Sequence, residues 1–244
     1  KNGAGTPDSM HDPDGVVLDS QGNLYVSACG LDASNQGVFK IAPDLQVTKV
    51  MGATGDGTHA ADCPVDLDVD SADNVYVAAF LSDNVFKITP SGTVEEVIDS
   101  SGAGAAGEFL LGPIGVAVDR FNNLFVSGSI SDRVFKRTPG GVITEVLGPD
   151  GDGETDLVQP FGIAVDSAGN LIVPGFCAGS NAVFEVTPGG VVTVILDASG
   201  AGPGNPLDGP HAIAVDSDDN VFVTGNESDN VFKITPGGVV SVIL

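Results

Sequence analysis

Asp14 and His211 are the two side chains best suited to acid–base chemistry in this 244-residue sequence. A carboxylate that lies beside an imidazole can orient it as a general base, and the two groups can also share a metal ion. Other acidic and histidine side chains lie near them, or near the matching position of the next repeat: His11, Asp12, Asp62 and Asp66. The candidates for a ligand site are therefore Asp14, His211, His11 and Asp66. The alternative is a hydrogen-bonded Asp14–His211 pair with a structural role.

A second candidate site is the acidic segment that reads PDGDGETD. It places carboxylates at alternate positions with glycines between them, a spacing that can surround a hard cation such as Ca²⁺ with oxygen ligands. The carboxylates are those of Asp150, Asp152, Glu154 and Asp156. The EF-hand pattern is not matched, and a related Gly-Asp-Gly at residues 55–57 suits an ordinary glycine-rich turn. Calcium binding and a plain turn both stay open.

An internal repeat positions these residues. An aspartate closes an apolar run five times, at spacings of 51, 49, 47 and 50 residues. These aspartates are Asp19, Asp70, Asp119, Asp166 and Asp216. A period near fifty residues is typical of stacked or radial repeat folds. Because the aspartate occurs once per repeat, it is predicted to cap a turn.

Each repeat contains four short runs rich in Val, Ile and Phe, separated by turn residues. Such runs predict strands, and no segment shows helical periodicity. Five units of four antiparallel strands predict an all-β, five-bladed β-propeller, with no strand exchanged at ring closure. A sandwich or a β-solenoid fits this period less well. One domain is expected over residues 1–244, with blades at 10–51, 62–98, 111–147, 159–196 and 208–244.

This topology places the segment before each first strand on one face, around the mouth of the central channel. In the three middle blades the residues there are Val65, Ile114 and Phe161, which are expected to plug the channel. Asp14 and His211 belong to blades 1 and 5, which become neighbours if the ring closes. An acidic and histidine-bearing patch is therefore expected where the two ends of the ring meet.

Three cysteines are too few for a disulfide framework. Cys29 ends a second strand and Cys63 precedes a first strand, so both are expected on the same face and are predicted to form one bridge. Such a bridge implies an oxidising compartment, and an extracellular or cell-surface location is expected. Cys177 is then predicted to be a free thiol without a catalytic role.

The repeat resembles the NHL family of propellers. The resemblance is carried by Pro160–Val173, which reads PFGIAVDSAGNLIV, and by the VFEVTP run at Val183–Pro188. The glycine-rich connectors at Gly52–Pro64 and Gly148–Pro160 are similar to the connectors between blades in that family. The resemblance covers nearly the whole chain and implies a propeller, although members usually have six blades.

A narrower resemblance joins Pro13-Asp14-Gly15, with Asp19 and Gly22-Asn23-Leu24 after it, to gluconolactonase and senescence-marker propellers. That resemblance implies that Asp14 is a ligand of a catalytic divalent metal. The other ligands of that family are a glutamate and two asparagines, one of them from a Pro-Asn-Gly triplet. The corresponding triplets here are PVD, PIG, PFG and PHA, so one ligand of four is retained.

The charge balance narrows the range of partners. There are 33 acidic and 9 basic residues, for a net charge of −24. Such a surface repels phosphate, so nucleic acid is excluded as a partner. No stretch is long and apolar enough to predict a membrane-spanning helix, so membrane insertion is not expected.

The last strand has an uncharged edge. Edge strands usually carry charges that prevent pairing with other chains, whereas the chain ends in VVSVIL. An interaction edge is predicted at Val239, Val240, Val242 and Leu244, and a covering loop is the alternative. The leading functional prediction is therefore a non-catalytic structural or interaction propeller, with a protein partner or self-association in a tandem or fibre-like assembly. The alternative is a metal-dependent lactonase-like hydrolase or lyase around Asp14 and His211.

Overall fold

The computed structural model describes residues 10–30, 32, 34–105, 107–176 and 181–244. They form five antiparallel sheets of four strands, each in sequence order, which confirms the five-bladed propeller without strand exchange. Among the described residues, no helix is long and apolar enough to cross a membrane.

The strands follow the predicted repeat closely. Blade 1 contains β1 (Pro13–Leu18), β2 (Leu24–Ala28), β3 (Gly37–Ile41) and β4 (Val47–Met51). Blade 2 contains β5 (Pro64–Val69), β6 (Val75–Ala79), β7 (Asn84–Ile88) and β8 (Val94–Ile98). Blade 3 contains β9 (Pro113–Val118), β10 (Leu124–Gly128), β11 (Arg133–Arg137) and β12 (Ile143–Leu147). Blade 4 contains β13 (Ala164–Val165), β14 (Leu171–Gly175), β15 (Ala182–Val186) and β16 (Val192–Leu196). Blade 5 contains β17 (Pro210–Val215), β18 (Val221–Gly225), β19 (Asn230–Ile234) and β20 (Val240–Val242).

The repeated aspartate fixes the turn between the first and second strands. In blade 1 the Asp19 carboxylate accepts hydrogen bonds from the backbone N–H groups of Gln21 and Asn23, at 2.9 and 2.8 Å. The Asn23 amide also donates to Asp19, at 2.6 Å. Asp–Asn pairs recur at the same turn in the other four blades. A short carboxylate that bonds backbone two and four residues ahead holds a tight turn, so the predicted capping role is confirmed.

The hydrophobic core lies between blades. One phenylalanine per blade is almost fully buried: Phe39, Phe86, Phe135, Phe184 and Phe232. Four clusters of buried side chains join blades 1 and 2, 2 and 3, 3 and 4, and 4 and 5. Each blade therefore stabilises its neighbours through apolar packing of sheet faces.

Blades 5 and 1 share none of these four clusters within the described part of the chain. We call the gap between them the seam, bordered by Val16 and Leu18 on blade 1 and by Ile243 and Leu244 on blade 5. These four side chains are 61%, 59%, 52% and 82% exposed. The expectation that blades 1 and 5 become neighbours is therefore wrong. Closure depends on the angle between successive blades, which the strand pattern of a single repeat does not specify.

The seam leads to a prediction about stability. Val16 and Val116 hold the same repeat position, but Val16 is 61% exposed and Val116 is 4% exposed. Val116→Ala should lower the free energy of unfolding by about 2 kcal/mol because it leaves a cavity between blades 2 and 3. Val16→Ala should change it by less than about 0.5 kcal/mol. Urea denaturation of both variants measures the difference, and equal losses would show that the seam is closed in solution.

Candidate functional site

A channel lined by the first strands of all five blades forms the candidate site. It encloses a cavity of about 650 Å³. The residues that follow the recurring proline all line it: Asp14, Val65, Ile114, Phe161 and His211. The three apolar members lie along the wall and leave the cavity open, so the expectation that they plug the channel is wrong. Its ionisable lining residues are Asp14, Asp66, Asp68 and His211.

Among the ionisable groups of the channel, Asp66 has the most clearly shifted pKa. Its Oδ2 atom accepts a hydrogen bond from the backbone N–H of Val116 in the next blade, at 2.9 Å. Burial raises the pKa of Asp66 to about 6, although hydrogen bonds from the backbone of Val116 and Leu67 oppose the shift. A carboxyl group with a pKa near 6 exchanges protons readily at neutral pH, which is the property of a general base.

The local sequence explains why a carboxylate lies at this point. In blades 1 and 3 a serine hydroxyl links the first strand to the next blade: Ser27 donates to Val65 O at 2.8 Å, and Ser127 donates to Phe161 O at 2.6 Å. Blade 2 has Ala78 in this position, so the hydroxyl is missing. Asp66 forms the link to blade 3 instead, from a position that is glycine or alanine in the other blades.

Asp68 is a channel residue that the sequence reasoning missed. Its Oδ2 accepts from the backbone N–H of Val118 at 2.6 Å, and its Oδ1 accepts from that of Val69 at 2.8 Å. Burial raises the pKa of Asp68 as well. The available signal was a departure from the repeat, because the matching positions in the other blades are valine or alanine.

His211 is held against an aromatic wall. Its ring stacks on Phe161 with centroids 4.3 Å apart, and Phe161 makes an edge contact with Phe176 at 5.4 Å. Partial burial lowers the pKa of His211, so the imidazole is neutral at neutral pH. A neutral imidazole offers one nitrogen as an acceptor and the other as a donor.

Asp14 lies at the open side of the channel. Burial, with a smaller contribution from the charge of Asp12, raises the pKa of Asp14. Among the described residues, no hydrogen bond or ion pair joins Asp14 to His211, because the seam separates β1 from β17. The predicted pair is therefore not formed, although both residues line the same cavity.

The remaining members of the predicted patch lie on the connectors outside the channel. His11 and Asp12 are exposed, and the Asp12 carbonyl accepts from the backbone N–H of Cys29 at 3.1 Å. The backbone N–H of Asp62 donates to Ser82 Oγ at 2.9 Å. Asp12 and Asp62 thus hold their connectors in place, and His11, Asp12 and Asp62 are not among the residues that line the cavity.

A second histidine site that sequence reasoning missed lies at the outer strand of blade 2. His59 Nδ1 lies 3.0 Å from Asp56 Oδ2 and 3.3 Å from Glu96 Oε2. The hydrogen bond to Asp56 is the main reason that the pKa of His59 is raised. The His59 side chain is 48% exposed, so this ion pair fixes a surface turn and contributes little to stability.

Cys29 and Cys63 form a disulfide, the pairing expected from the sequence, across 34 residues. Cys29 follows β2 and Cys63 precedes β5, so the bond joins blade 1 to the start of blade 2. The Cys63 N–H also donates to Gln36 Oε1 at 3.3 Å in a buried setting. Cys177 lies outside the described residues.

Several solved structures are similar to this fold. A virginiamycin B lyase from Staphylococcus aureus matches with a TM-score of 0.74 at 18% identity, over 97% of this chain and 70% of that chain. A nidogen/laminin complex matches with a TM-score of 0.70 at 14% identity, over 95% and 78%. A gluconolactonase from Xanthomonas campestris matches with a TM-score of 0.63 at 16% identity, over 95% and 72%. No protein-family model matches the sequence, and no curated protein matches it either.

At these identities the likeness is one of fold: a propeller with four-stranded blades. Lyases and gluconolactonases predominate among these similar structures. The prediction of a non-catalytic structural propeller is contradicted by this finding. The lactonase-like or lyase-like alternative is better supported.

The lactonase-like alternative was predicted to depend on a divalent metal, and the described side chains do not form a site for one. No group of three or more His, Cys, Asp or Glu residues is arranged to hold a metal ion in the part of the chain that the structure describes. In the channel, Asp66 and Asp68 already accept backbone hydrogen bonds from blade 3. The ionisable side chains available for acid–base chemistry on the channel wall are Asp14, Asp66, Asp68 and His211.

The acidic segment of blade 4 forms a turn. Asp152 Oδ1 accepts from the backbone N–H groups of Glu154 and Thr155, at 3.0 and 2.7 Å. Asp56 forms the same turn in the connector to blade 2. Asp150 and Asp156 are exposed, and calcium binding by this segment stays a prediction.

The predicted interaction edge lies on β20 and at its two ends. Val239 is 64% exposed and Leu244 is 82% exposed, whereas Val240 and Val242 are half-buried against the blade 4–blade 5 core. Leu244 also borders the seam. A protein partner at this edge stays a prediction.

Proposed function

We propose that the protein is an enzyme of the lactonase or lyase kind, with its site in the central channel and Asp66 as the general base. The observation that carries the proposal is the Asp66 carboxyl group, with a pKa of about 6, on the wall of a cavity of about 650 Å³. Both reaction types need a group that takes up a proton near neutral pH, and a displaced carboxylate pKa in a cavity marks such a group.

Asp66 and His211 have different roles in the proposed reaction. In hydrolysis of a cyclic ester, Asp66 takes a proton from the water that attacks the carbonyl carbon. The C–O bond of the ring then breaks, and the proton passes to the departing oxygen. His211, neutral and stacked on Phe161, can donate one hydrogen bond to the substrate. No step is routed through a metal, since the described residues contain no group of three or more His, Cys, Asp or Glu side chains arranged to hold one.

Charge favours one class of substrate. The net charge of −24 and the carboxyl groups of the channel repel anions, so neutral or cationic cyclic esters are favoured. The apolar wall, which includes Val65, Ile114 and Phe161, can bury the carbon skeleton of such a substrate.

Two solved structures with a similar fold support the proposal of a lactonase-like or lyase-like enzyme. One similar structure is a catalytically inactive variant of virginiamycin B lyase with quinupristin, in which a histidine is replaced by alanine. Another similar structure is a gluconolactonase. The two structures suggest quinupristin and gluconolactone as probe substrates. The inactive histidine variant also suggests that His211 should be tested by substitution.

We also infer that the repeats are of the NHL type and that the protein works outside the cell. The first inference is supported by the PFGIAVDSAGNLIV motif and its glycine-rich connectors. The Cys29–Cys63 disulfide supports an oxidising compartment.

The test is an assay of the whole chain with quinupristin and with gluconolactone, at a series of pH values. Turnover of at least one compound is expected, with kcat/KM rising through a midpoint near the Asp66 pKa of about 6. His211→Ala should lower kcat/KM by about tenfold or more because a donor to the substrate is lost. Asp218→Asn, an exposed change outside the channel, serves as the matched control. Absence of turnover of both compounds by folded protein would contradict the proposal.

A further inference from the structure

A hydrogen-bonded clip joins neighbouring blades at the turn between their first and second strands. The serine after the repeated aspartate donates through its backbone N–H and its hydroxyl to a side chain of the next blade. Ser20 donates in this way to the Asp73 carboxylate, at 2.8 Å through each group. The clips between blades 2 and 3 and between blades 4 and 5 pair Ser71 with Asn122 and Ser167 with Asp219.

Both clip positions differ at the boundary between blades 3 and 4. Arg120 stands in place of the serine, and Gly169 stands in place of the acceptor. Because glycine has no side chain to accept hydrogen bonds, this boundary is not closed in the same way. The Arg120 guanidinium instead donates to the Ser167 carbonyl oxygen at 2.7 Å and lies 4.8 Å from the centroid of the Phe121 ring. Phe121 is 60% exposed, and the other blades have Gln, Ala or Asp at its position.

A cavity of about 320 Å³ lies at this boundary. Its wall includes Phe121, Phe125 and Lys136 of blade 3 and Gly169, Leu171 and Val186 of blade 4. Val186 holds the repeat position that Arg137 holds in blade 3, so a short side chain borders the cavity where the preceding boundary has a long one. A concave, mainly apolar wall with a few polar groups is typical of a small-molecule site.

The charges of the wall favour an anionic ligand. Lys136 Nζ lies 5.4 Å from the centroid of the Phe125 ring, and it forms no hydrogen bond or ion pair within the described residues. The acids of the wall are already engaged, since Asp119 accepts three hydrogen bonds from its own turn and Glu145 pairs with Arg133. Blade 3, residues 111–147, also carries four of the nine basic residues of the chain and only three acidic ones.

We propose that this cavity is a second binding site, which takes a small carboxylic acid that carries an aromatic ring. The rings of Phe121 and Phe125 favour an aromatic ring in the ligand, and Lys136 can donate a charge-assisted hydrogen bond to a carboxylate. A single negative charge is favoured because the net charge of −24 repels polyanions. The cavity shares no lining residue with the channel, so the proposal is independent of the enzymatic function proposed above.

The test is titration of the whole chain with 2-naphthoate and with its neutral amide, followed by two-dimensional ¹⁵N NMR. Saturable shifts are expected for the backbone signals of Gly169 and Gly190, which line this cavity, and not for that of Gly162, which lines the channel. The amide should bind about tenfold more weakly than the acid because its group carries no charge for Lys136 to neutralise.

A pair of lysine variants supplies the matched control. Lys136→Met should weaken 2-naphthoate binding by about tenfold and leave amide binding unchanged. Lys87 holds the same repeat position in blade 2, and its Nζ lies 5.9 Å from the centroid of the Tyr76 ring, but it does not line the cavity. Lys87→Met removes the same charge and should leave binding of both compounds unchanged.

Four results would overturn the proposal. They are the absence of saturable binding by folded protein, shifts at Gly162 in place of Gly169, equal affinity for the acid and the amide, and equal losses of affinity in the two lysine variants. The first and third would show that the cavity does not select a carboxylate. The second would place the ligand in the channel, and the fourth would assign the effect to overall charge.

Discussion

Asp66→Asn is expected to lower kcat/KM by about 10²–10⁴-fold at pH 7.5, because the amide cannot accept the proton that a general base removes. The substitution keeps the shape of the side chain, and the amide oxygen can still accept the hydrogen bond that Val116 N–H donates to Asp66. The fold should therefore survive. The assay is initial-rate kinetics with whichever probe substrate the parent protein turns over.

The same substitution should raise stability at neutral pH. A raised pKa means that the folded protein binds a proton at Asp66 more tightly than the unfolded chain does. The contribution of Asp66 to stability is thus present below its unfolded pKa of 3.8 and is lost as the pH rises through about 6. Removal of the charged form should raise the free energy of unfolding by about 1–2 kcal/mol at pH 7.5, after allowance for solvent screening.

Two outcomes separate catalysis from structure at this residue. Lower activity together with equal or higher stability identifies Asp66 as catalytic, as is usual for active-site groups held in strained environments. Unchanged activity in a stable Asp66→Asn variant would show that the carboxylate only links blades 2 and 3. Asp218→Asn is the control for loss of a surface charge.

The fold could be predicted from the sequence because each of the five repeats carries the same pattern of strands and turns. The turns capped by Asp19 and its equivalents, and the strands formed by the short apolar runs, depend on contacts within one blade. Such local contacts can be predicted from local sequence patterns. The open seam could not be predicted in this way. It depends on the packing angle between whole sheets, to which many side chains contribute small amounts.

The candidate site was predicted in part. Asp14, Asp66 and His211 do line one cavity, because each lies within two residues of the recurring proline at the start of a first strand, and that placement is a property of the repeat. The Asp14–His211 pair was wrong, since it depended on ring closure. The importance of Asp66 over its neighbours comes from its burial, which is a tertiary fact. It also comes from the missing hydroxyl at Ala78, which the sequence shows but whose role in linking blades only the structure reveals. Asp68 could have been found as a departure from the repeat consensus.

Replacing both disulfide cysteines, Cys29→Ser with Cys63→Ser, is expected to cost up to about 4 kcal/mol in the free energy of unfolding. The chain-entropy model gives this value for a link across 34 residues. The structure also predicts where the loss appears. Blade 1 packs on blade 2 and faces the seam on its other side, so the disulfide secures a blade that is packed against one neighbouring blade among the described residues.

Blade 1 should therefore open first. Hydrogen exchange of the double variant is expected to show lost protection in β1 to β4, while β10 and β14 in the interior blades keep theirs. Reductant should reproduce the effect in the parent protein and add nothing in the double variant, which controls for reduction elsewhere. A uniform loss of protection across all five blades would contradict this expectation, because it would mean that the ring unfolds as a closed, cooperative unit.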